Sequence, residues 1–212
     1  MKPPLSKNNI SRQRTVNLSQ FENKLAAMGY RLIAGCDEVG RGALAGPVMA
    51  CMLILPVGFT YPGIDDSKKL SAGKRESLNK ILTQNAIDYA VTAIDENIID
   101  EINILEATRR AMENAYYALK IKPDYLFIDA MTLSLPIATE SIIGGDALSI
   151  SIASASIIAK VTRDNLMIKL HGKYPEYGFD KNKGYGTKTH IEAIKKYGAT
   201  PIHRLSFIGK YI

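Results

Sequence analysis

Two adjacent carboxylates, Asp37 and Glu38, close an apolar run from Leu32 to Cys36. An unpaired ionised carboxylate is costly to bury. Two acids at the end of a core strand therefore imply something positive beside them. Gly40-Arg41-Gly42 follows, and Gly46-Pro47 opens a second apolar run, Val48 to Leu55. That succession reads as a buried strand, a tight turn and its hairpin partner. A further short apolar run, Tyr125 to Ile128, also ends in an acid, Asp129. Asp146 lies just ahead of a long helical pattern, where a helix N-terminus favours an anion. In open α/β sheets, ligand sites gather at the carboxyl ends of strands. Brought together, these four acids would repel one another and stay ionised only around divalent cations. Oxygen-only donors suit Mg²⁺ or Mn²⁺. Taken singly, each acid also fits a turn or a cap, and Gly-Gly-Asp at 144–146 is a common turn. Neighbouring side chains on a regular strand point to opposite faces. Asp37 and Glu38 can serve one site only if the strand bends at its end, and the glycines at 40 and 42 permit that.

Basic residues recur beside aromatic ones: Lys68-Lys69, then Lys181, Lys183, Tyr185 and Lys188, then His203-Arg204 with Phe207. Such bases contact nucleic-acid backbones and such rings stack on bases or sugars. A solvated basic face is the plainer alternative for any one cluster. The formal net charge of +6 over 212 residues favours a polyanionic partner. Several chemistries are excluded. The glycine spacing after Glu38 is not a dinucleotide fingerprint, and no Walker sequence occurs. His171, His190 and His203 lack zinc spacing, and no Ser/His/Asp or Cys/His set is visible.

The elements that must position these residues follow from periodicity and breakers. A helix is expected from Leu18 to Tyr30, stopped by Gly29. Ser71 should cap a helix from Ala72 to about Gln84. Asp88 to Asp95 reads as a third strand. Glu96 to about Lys120 reads as a helix broken near Asn103, closed off by Pro123. Ile137 to Ile143 suits an edge strand. Ser149 to His171 is the clearest helix, with Ile150, Ile157, Val161 and Ile168 on one face. Its small residues Ala153, Ser154, Ala155, Ser156 and Ala159 would let it approach a sheet closely. Thr189 with Glu192 suggests a capping box for a short helix ended by Gly198. Residues 1–17 read as a flexible tail, and 18–212 as one domain. The fold class expected is α/β, a mixed sheet covered by helices. Cys36 and Cys51 fall in core strands without CxxC spacing and read as reduced thiols of a cytoplasmic protein. No run approaches the ~20 apolar residues of a membrane span, and no signal peptide is evident.

The motifs as an ordered set resemble a known family. They are Asp37-Glu38-Val39-Gly40-Arg41-Gly42 with Ala45-Gly46-Pro47, Asp66-Ser67-Lys68-Lys69-Leu70-Ser71, Ile128-Asp129, Gly145-Asp146, the run Ser154 to Asp164, Gly184-Tyr185-Gly186-Thr187, and His203-Arg204 with Ser206-Phe207. Together they resemble bacterial type 2 ribonuclease H, ribonuclease HII. The resemblance implies an RNase H-like fold: a mixed five-stranded sheet flanked by helices, with a helical C-terminal part. It implies hydrolysis of the RNA strand of RNA–DNA hybrids, and incision 5′ of ribonucleotides embedded in duplex DNA, with Mn²⁺ or Mg²⁺ as cofactor. By motif position, Asp37, Glu38, Asp129 and Asp146 would be the metal-binding catalytic acids. Gly40, Arg41 and Gly42 would read the ribose 2′-hydroxyl, and Tyr185 would stack on the next deoxyribose. Ser67, Lys68, Lys183, Thr187 and Arg204 would be further substrate contacts. A monomer without membrane partners is expected. Two rivals stay open at this point: a non-cutting nucleic-acid binder on the same fold, and a two-metal nuclease for branched DNA.

Overall fold

The computed structural model describes residues 18–212, so the expected N-terminal tail lies outside the described residues. A five-stranded sheet forms the centre. Its strands are β1 (Ile33–Val39), β2 (Val48–Ile54), β3 (Asp88–Ile94), β4 (Tyr125–Asp129) and β5 (Ala138–Ile142), in the spatial order β3-β2-β1-β4-β5. The first three pair antiparallel, whereas β4 runs parallel to β1 and β5 parallel to β4. The sheet is therefore mixed, as expected, and β5 is an edge.

Helices α1 (Gln20–Ala27), α2 (Ala72–Asn85), α3 (Glu96–Ala118) and α4 (Ile150–His171) cover the sheet. Local chemistry sets their ends. Ser71, Asp95 and Ser149 each accept a hydrogen bond from a first-turn N–H, satisfying donors that a helix leaves orphaned. Asn103 breaks α3 with a φ of 66°. Its side chain then accepts from Leu105 and Glu106 N–H, so the residue that interrupts the helix also restarts it. Helix α1 is shorter than the periodicity implies, because Gly29 adopts a left-handed φ of 103° and the chain has already turned.

The two faces of the sheet follow the period-2 alternation of a strand. Val48, Ala50, Met52 and Ile54 of β2 face α3, packing with Ala107, Ala111, Met112 and Ala115. Cys51, Leu53 and Leu55 face the other way, toward Leu78 and Leu82 of α2 and the small residues of α4. The small residues are buried as expected. Gly35 of β1 sets how closely α4 lies: a Cβ there would come within 2.1 Å of the Ser151 backbone carbon. Ile168 is a correction. It is 47% exposed, because the apolar face of α4 swings round at Met167 to meet the C-terminal part.

That C-terminal part is helical: α5 (Phe179–Asn182), α6 (Lys188–Tyr197) and α7 (Leu205–Ile208). It packs on Leu44, Ala45 and Met167 around its own core of Tyr177, Phe179, Ala193, Ile194 and Ile208. The cap of α6 is Thr187, whose hydroxyl accepts from His190 N–H, rather than the expected Thr189. Both threonines precede a helical pattern, and the Gly184–Gly186 loop decides which of them sits at the boundary. Cys36 and Cys51 are free and buried, and burial pushes both thiols up.

Candidate active site

The parallel pairing of β1 and β4 sets Cys36 opposite Ile128, so the next residues, Asp37 and Asp129, end adjacent strands side by side. Asp146 arrives from the short 3₁₀ turn Gly145–Ala147 that leads into α4, and Asp129 Oδ1 accepts from Gly145 N–H at 2.8 Å. Burial, then the charge of Glu38, push the Asp37 carboxyl well above the usual carboxylate range. A hydrogen bond from Ser156 opposes that push and Asp129 adds to it. Asp129 is raised too, chiefly by burial; the Gly145 N–H opposes this, and Asp146 reinforces it. Lys68 stands among these acids, its Nζ 3.5 Å from Asp146 Oδ2. Burial would lower Lys68, but the attraction of Asp146, Asp37 and Asp66 outweighs it and raises its pKa.

The acids are electrostatically coupled, yet they do not form a closed cage. Among the described residues, no three His, Cys, Asp or Glu side chains already make a group that could hold a metal ion. The acids expected to come together are thus not preorganised as a ligand cage. A Mg²⁺-like ion that keeps several waters needs no preformed cage.

Asp37 and Glu38 both line a cavity of about 400 Å³, together with Gly40, Arg41, Gly42, Ser67, Lys68, Ser156, Lys160 and Tyr185. The strand end thus turns both neighbouring acids toward one space. Gly40 makes the turn with a φ of 92°, and any Cβ on it would meet Arg163 Nε at 2.3 Å. Arg41 bends back so that its Nη1 lies 3.3 Å from Glu38 Oε1. Ser67 lines the cavity but is nearly buried, its hydroxyl 2.9 Å from that of Ser156. The pair braces Asp37 from behind. Tyr185 closes the far side with Lys160 Nζ 5.8 Å and the Arg163 guanidinium 5.5 Å from its ring centre.

Two fully buried arginines hold this wall in place. Arg163 donates to the carbonyls of Pro47, Ala45 and Lys183 at 2.9–3.0 Å. Arg204 donates to Gly46 and Arg41 carbonyls at 2.7–3.0 Å. The expectation that Arg204 touches substrate is corrected: its guanidinium has no exposed surface and serves the loop from beneath. Lys183 and Thr187 also stand outside the cavity lining. The Lys183 carbonyl serves Arg163, its ammonium turns to the Asp180 carbonyl, and Thr187 is occupied as a helix cap. Ser156, Lys160 and Arg163 fall in the Ser154–Asp164 motif, but the sequence reading gives them no role at the site. Their i, i+4, i+7 spacing on an otherwise apolar helix is the signal that one face of α4 looks onto a polar site.

His190 and His203 are buried, and burial lowers both, His203 to about 4. The folded state thus refuses protons that the unfolded chain accepts below about pH 6.5. Stability contributed by His203 is complete above pH 6.5 and is lost as pH falls toward 4. Denaturant melts at pH 7 and pH 5 should differ by about 2 kcal/mol from this residue. A His203→Gln variant should flatten that slope; an equal slope would place its origin elsewhere.

The ribonuclease HII family model matches residues 34–210, from β1 through α7. The chain belongs to the ribonuclease HII family. It is therefore an enzyme, a metal-dependent ribonuclease H. It is 54% identical over 190 residues to a ribonuclease HII of Enterococcus faecalis, covering 90% of this chain and 74% of that one. Its fold is similar to that of the crystal structure of ribonuclease H2 from Pyrococcus horikoshii, with a TM-score of 0.72 and 30% identity over 84% of this chain and 96% of the other. Bst-RNase HIII, solved in complex with Mn²⁺, shares the fold at a TM-score of 0.60 and 17% identity, covering 93% of this chain and 68% of that one. The RNase H-like fold expected from the motifs is the one observed. Among the described residues, no helix of this ribonuclease HII chain is long and apolar enough to cross a membrane.

Proposed function

We propose that this ribonuclease hydrolyses the RNA strand of RNA–DNA hybrids and incises 5′ of ribonucleotides embedded in duplex DNA. It would act as a monomeric single domain over residues 18–212. One observation carries the reading: Asp37 and Glu38, the Gly40–Gly42 turn and Tyr185 line one cavity, with Asp129 ending the strand beside Asp37. A cutting centre and a sugar sensor have to share such a wall if the cut is to depend on a 2′-hydroxyl.

Asp37, Glu38, Asp129 and Asp146 would hold the divalent cations, Mg²⁺ or Mn²⁺. Their donor atoms are all oxygens, and a bound cation would offset the burial and the like charges that raise the carboxyls of Asp37 and Asp129. When bound, such ions polarise the phosphate and stabilise the attacking and leaving oxygens. Water forms a bond to phosphorus in line as the P–O3′ bond breaks, leaving 3′-hydroxyl and 5′-phosphate ends. Lys68, with a mostly exposed side chain beside Asp146, is placed to trade its carboxylate for a substrate phosphate. The exposed Arg41 and Gly42 can approach the minor groove, where a hybrid displays its 2′-hydroxyl. Tyr185 offers its ring face to the following sugar.

The decisive assay uses a DNA duplex bearing one ribonucleotide, with Mg²⁺, Mn²⁺ or chelator, beside an all-DNA duplex. Incision is expected only at the ribonucleotide and only with metal; equal cutting of the all-DNA duplex would defeat the reading. Gly42→Ala sharpens it. A Cβ at Gly42 meets nothing within 4 Å, so the fold should keep its stability. Incision should nonetheless fall about tenfold, because a small displacement at a reacting centre is enough. Unaltered incision would remove Gly42 from the sugar sensor.

A further inference from the structure

His190 sits in the first turn of α6, and His203 follows that helix in the segment leading to α7. Neither lines the cavity, and they are 0% and 2% exposed. Their Nε2 atoms lie 3.1 Å apart. Thr200 N–H donates to His203 Nδ1 at 2.9 Å, and the Thr200 hydroxyl is 2.8 Å from the same nitrogen. A backbone N–H can only donate, so His203 Nδ1 carries no proton. The imidazole proton is then on His203 Nε2, which must donate to His190 Nε2. His190 in turn keeps its proton on Nδ1, 3.0 Å from the Tyr185 carbonyl oxygen. Heavy-atom positions thus leave one polarity for the whole chain, with both rings neutral: Thr200 to His203 to His190 to Tyr185.

The far end of this chain is well defined. The Tyr185 carbonyl also accepts from Thr187 N–H at 2.8 Å, so both of its lone pairs are used. Tyr185 forms an isolated bridge to Ala43, and His203 forms one to Ala45. The relay therefore spans two of the points at which the C-terminal part grips the Gly40–Gly46 loop. Tyr177 and Phe179 pack against both imidazoles, with ring centres 5.0–6.3 Å away. Enclosed in aromatic surface, hydrogen bonds of fixed polarity are strong and costly to break.

We propose that His190 and His203 form a positioning relay that fixes the Tyr185 peptide, and with it the Tyr185 ring, in register with the Gly40–Gly42 turn. They are positioning residues and do not touch substrate. The role rests on the reading of Tyr185 as the residue that meets the sugar.

A double-mutant cycle tests it on the full-length enzyme with the single-ribonucleotide duplex. His190→Leu fills the space but removes the donor to Tyr185, and should lower kcat about tenfold, in line with one buried hydrogen bond. His190→Asn returns an N–H near the Nδ1 position and should recover most of that loss. In a Tyr185→Ala background, His190→Leu should lower kcat by less than about twofold, since coupled residues are not additive. An undiminished tenfold loss in that background would overturn the relay. Tyr185→Ala alone leaving cleavage intact would defeat the role given to Tyr185, a distinct failure. The relay has its own readout if the leucine variant misfolds: ¹⁵N spectra of the unmodified protein at neutral pH. Opposite neutral tautomers, with the proton on Nδ1 in His190 and on Nε2 in His203, support it. Matching tautomers, or a charged ring, overturn it.

Discussion

Asp129→Asn is expected to remove nearly all cleavage of an RNA–DNA hybrid while leaving the protein at least as stable as the parent. The two halves of that result have one cause. Burial raises the Asp129 carboxyl and Asp146 adds to the strain, so without metal the ionised side chain destabilises the fold. Asparagine has the same shape, and its oxygen can still accept the Gly145 N–H that Asp129 accepts. It carries no charge for Asp146 to repel. Metal-free Asp129→Asn should therefore melt at the same temperature or slightly higher, in line with the general trade of stability against activity. With substrate present, the lost carboxylate should lower the rate by about a thousandfold, roughly 4 kcal/mol of transition-state stabilisation. Thermal melts with and without Mg²⁺ or Mn²⁺ add a second measurement. The parent should gain stability with metal by mass action, and the variant should gain much less. Near-normal turnover by Asp129→Asn would remove this carboxylate from the cutting centre.

The parts of this arrangement that are legible in the sequence are those set by local rules. Asp37 and Asp129 each end an apolar run, which is the mark that the strand ends of a parallel pair leave in the chain. Ser71 stands where a helix cap must, and Asn103 interrupts a helical pattern with a residue that tolerates a left-handed backbone. The cavity wall is less legible. Arg204 reads as a substrate contact because it is basic and near an aromatic ring. Its partners, Gly46 and Arg41, lie 158 and 163 residues earlier in the chain, a pairing that no local pattern encodes. Lys183 misleads in the same way: its charge is visible, but the left-handed turn that directs its carbonyl to Arg163 is not. Thr187 and Thr189 are indistinguishable as caps until the Gly184–Gly186 loop has been placed against Leu44 and Ala45. The lack of a ready-made ligand cage among the acids is hidden for another reason. It is a property of charges in three dimensions, with Lys68 drawn in from a distant loop.

Arg204→Met should be the most damaging substitution away from the acids. Methionine matches the arginine stem in length and apolar character, so little volume is lost. What goes is the fork that donates to Gly46 O through Nε and Nη2 and to Arg41 O through Nη1. Both carbonyls belong to the loop that carries the Gly40–Gly42 turn, and hydrogen bonds from a charged donor are worth about 1.5–3 kcal/mol each. Relief works in the opposite direction. Burial, and then the like charge of Arg163, bring Arg204 down to about 10, so removing it spares a desolvation cost and a repulsion. Glu96, itself buried, would meanwhile lose part of its attraction to a cation. The lost donors outweigh the relief, because carbonyls left unpaired at the base of a tight loop cannot reach water without moving it. A net loss of about 3–4 kcal/mol is expected in denaturant unfolding. Arg204→Lys separates charge from geometry: it restores the cation but has one nitrogen where the fork had three. If the fork matters, lysine should recover less than half of the stability and leave incision at a ribonucleotide impaired, since the Arg41 backbone stays untethered. Full recovery by lysine would mean that the buried charge alone supports the loop.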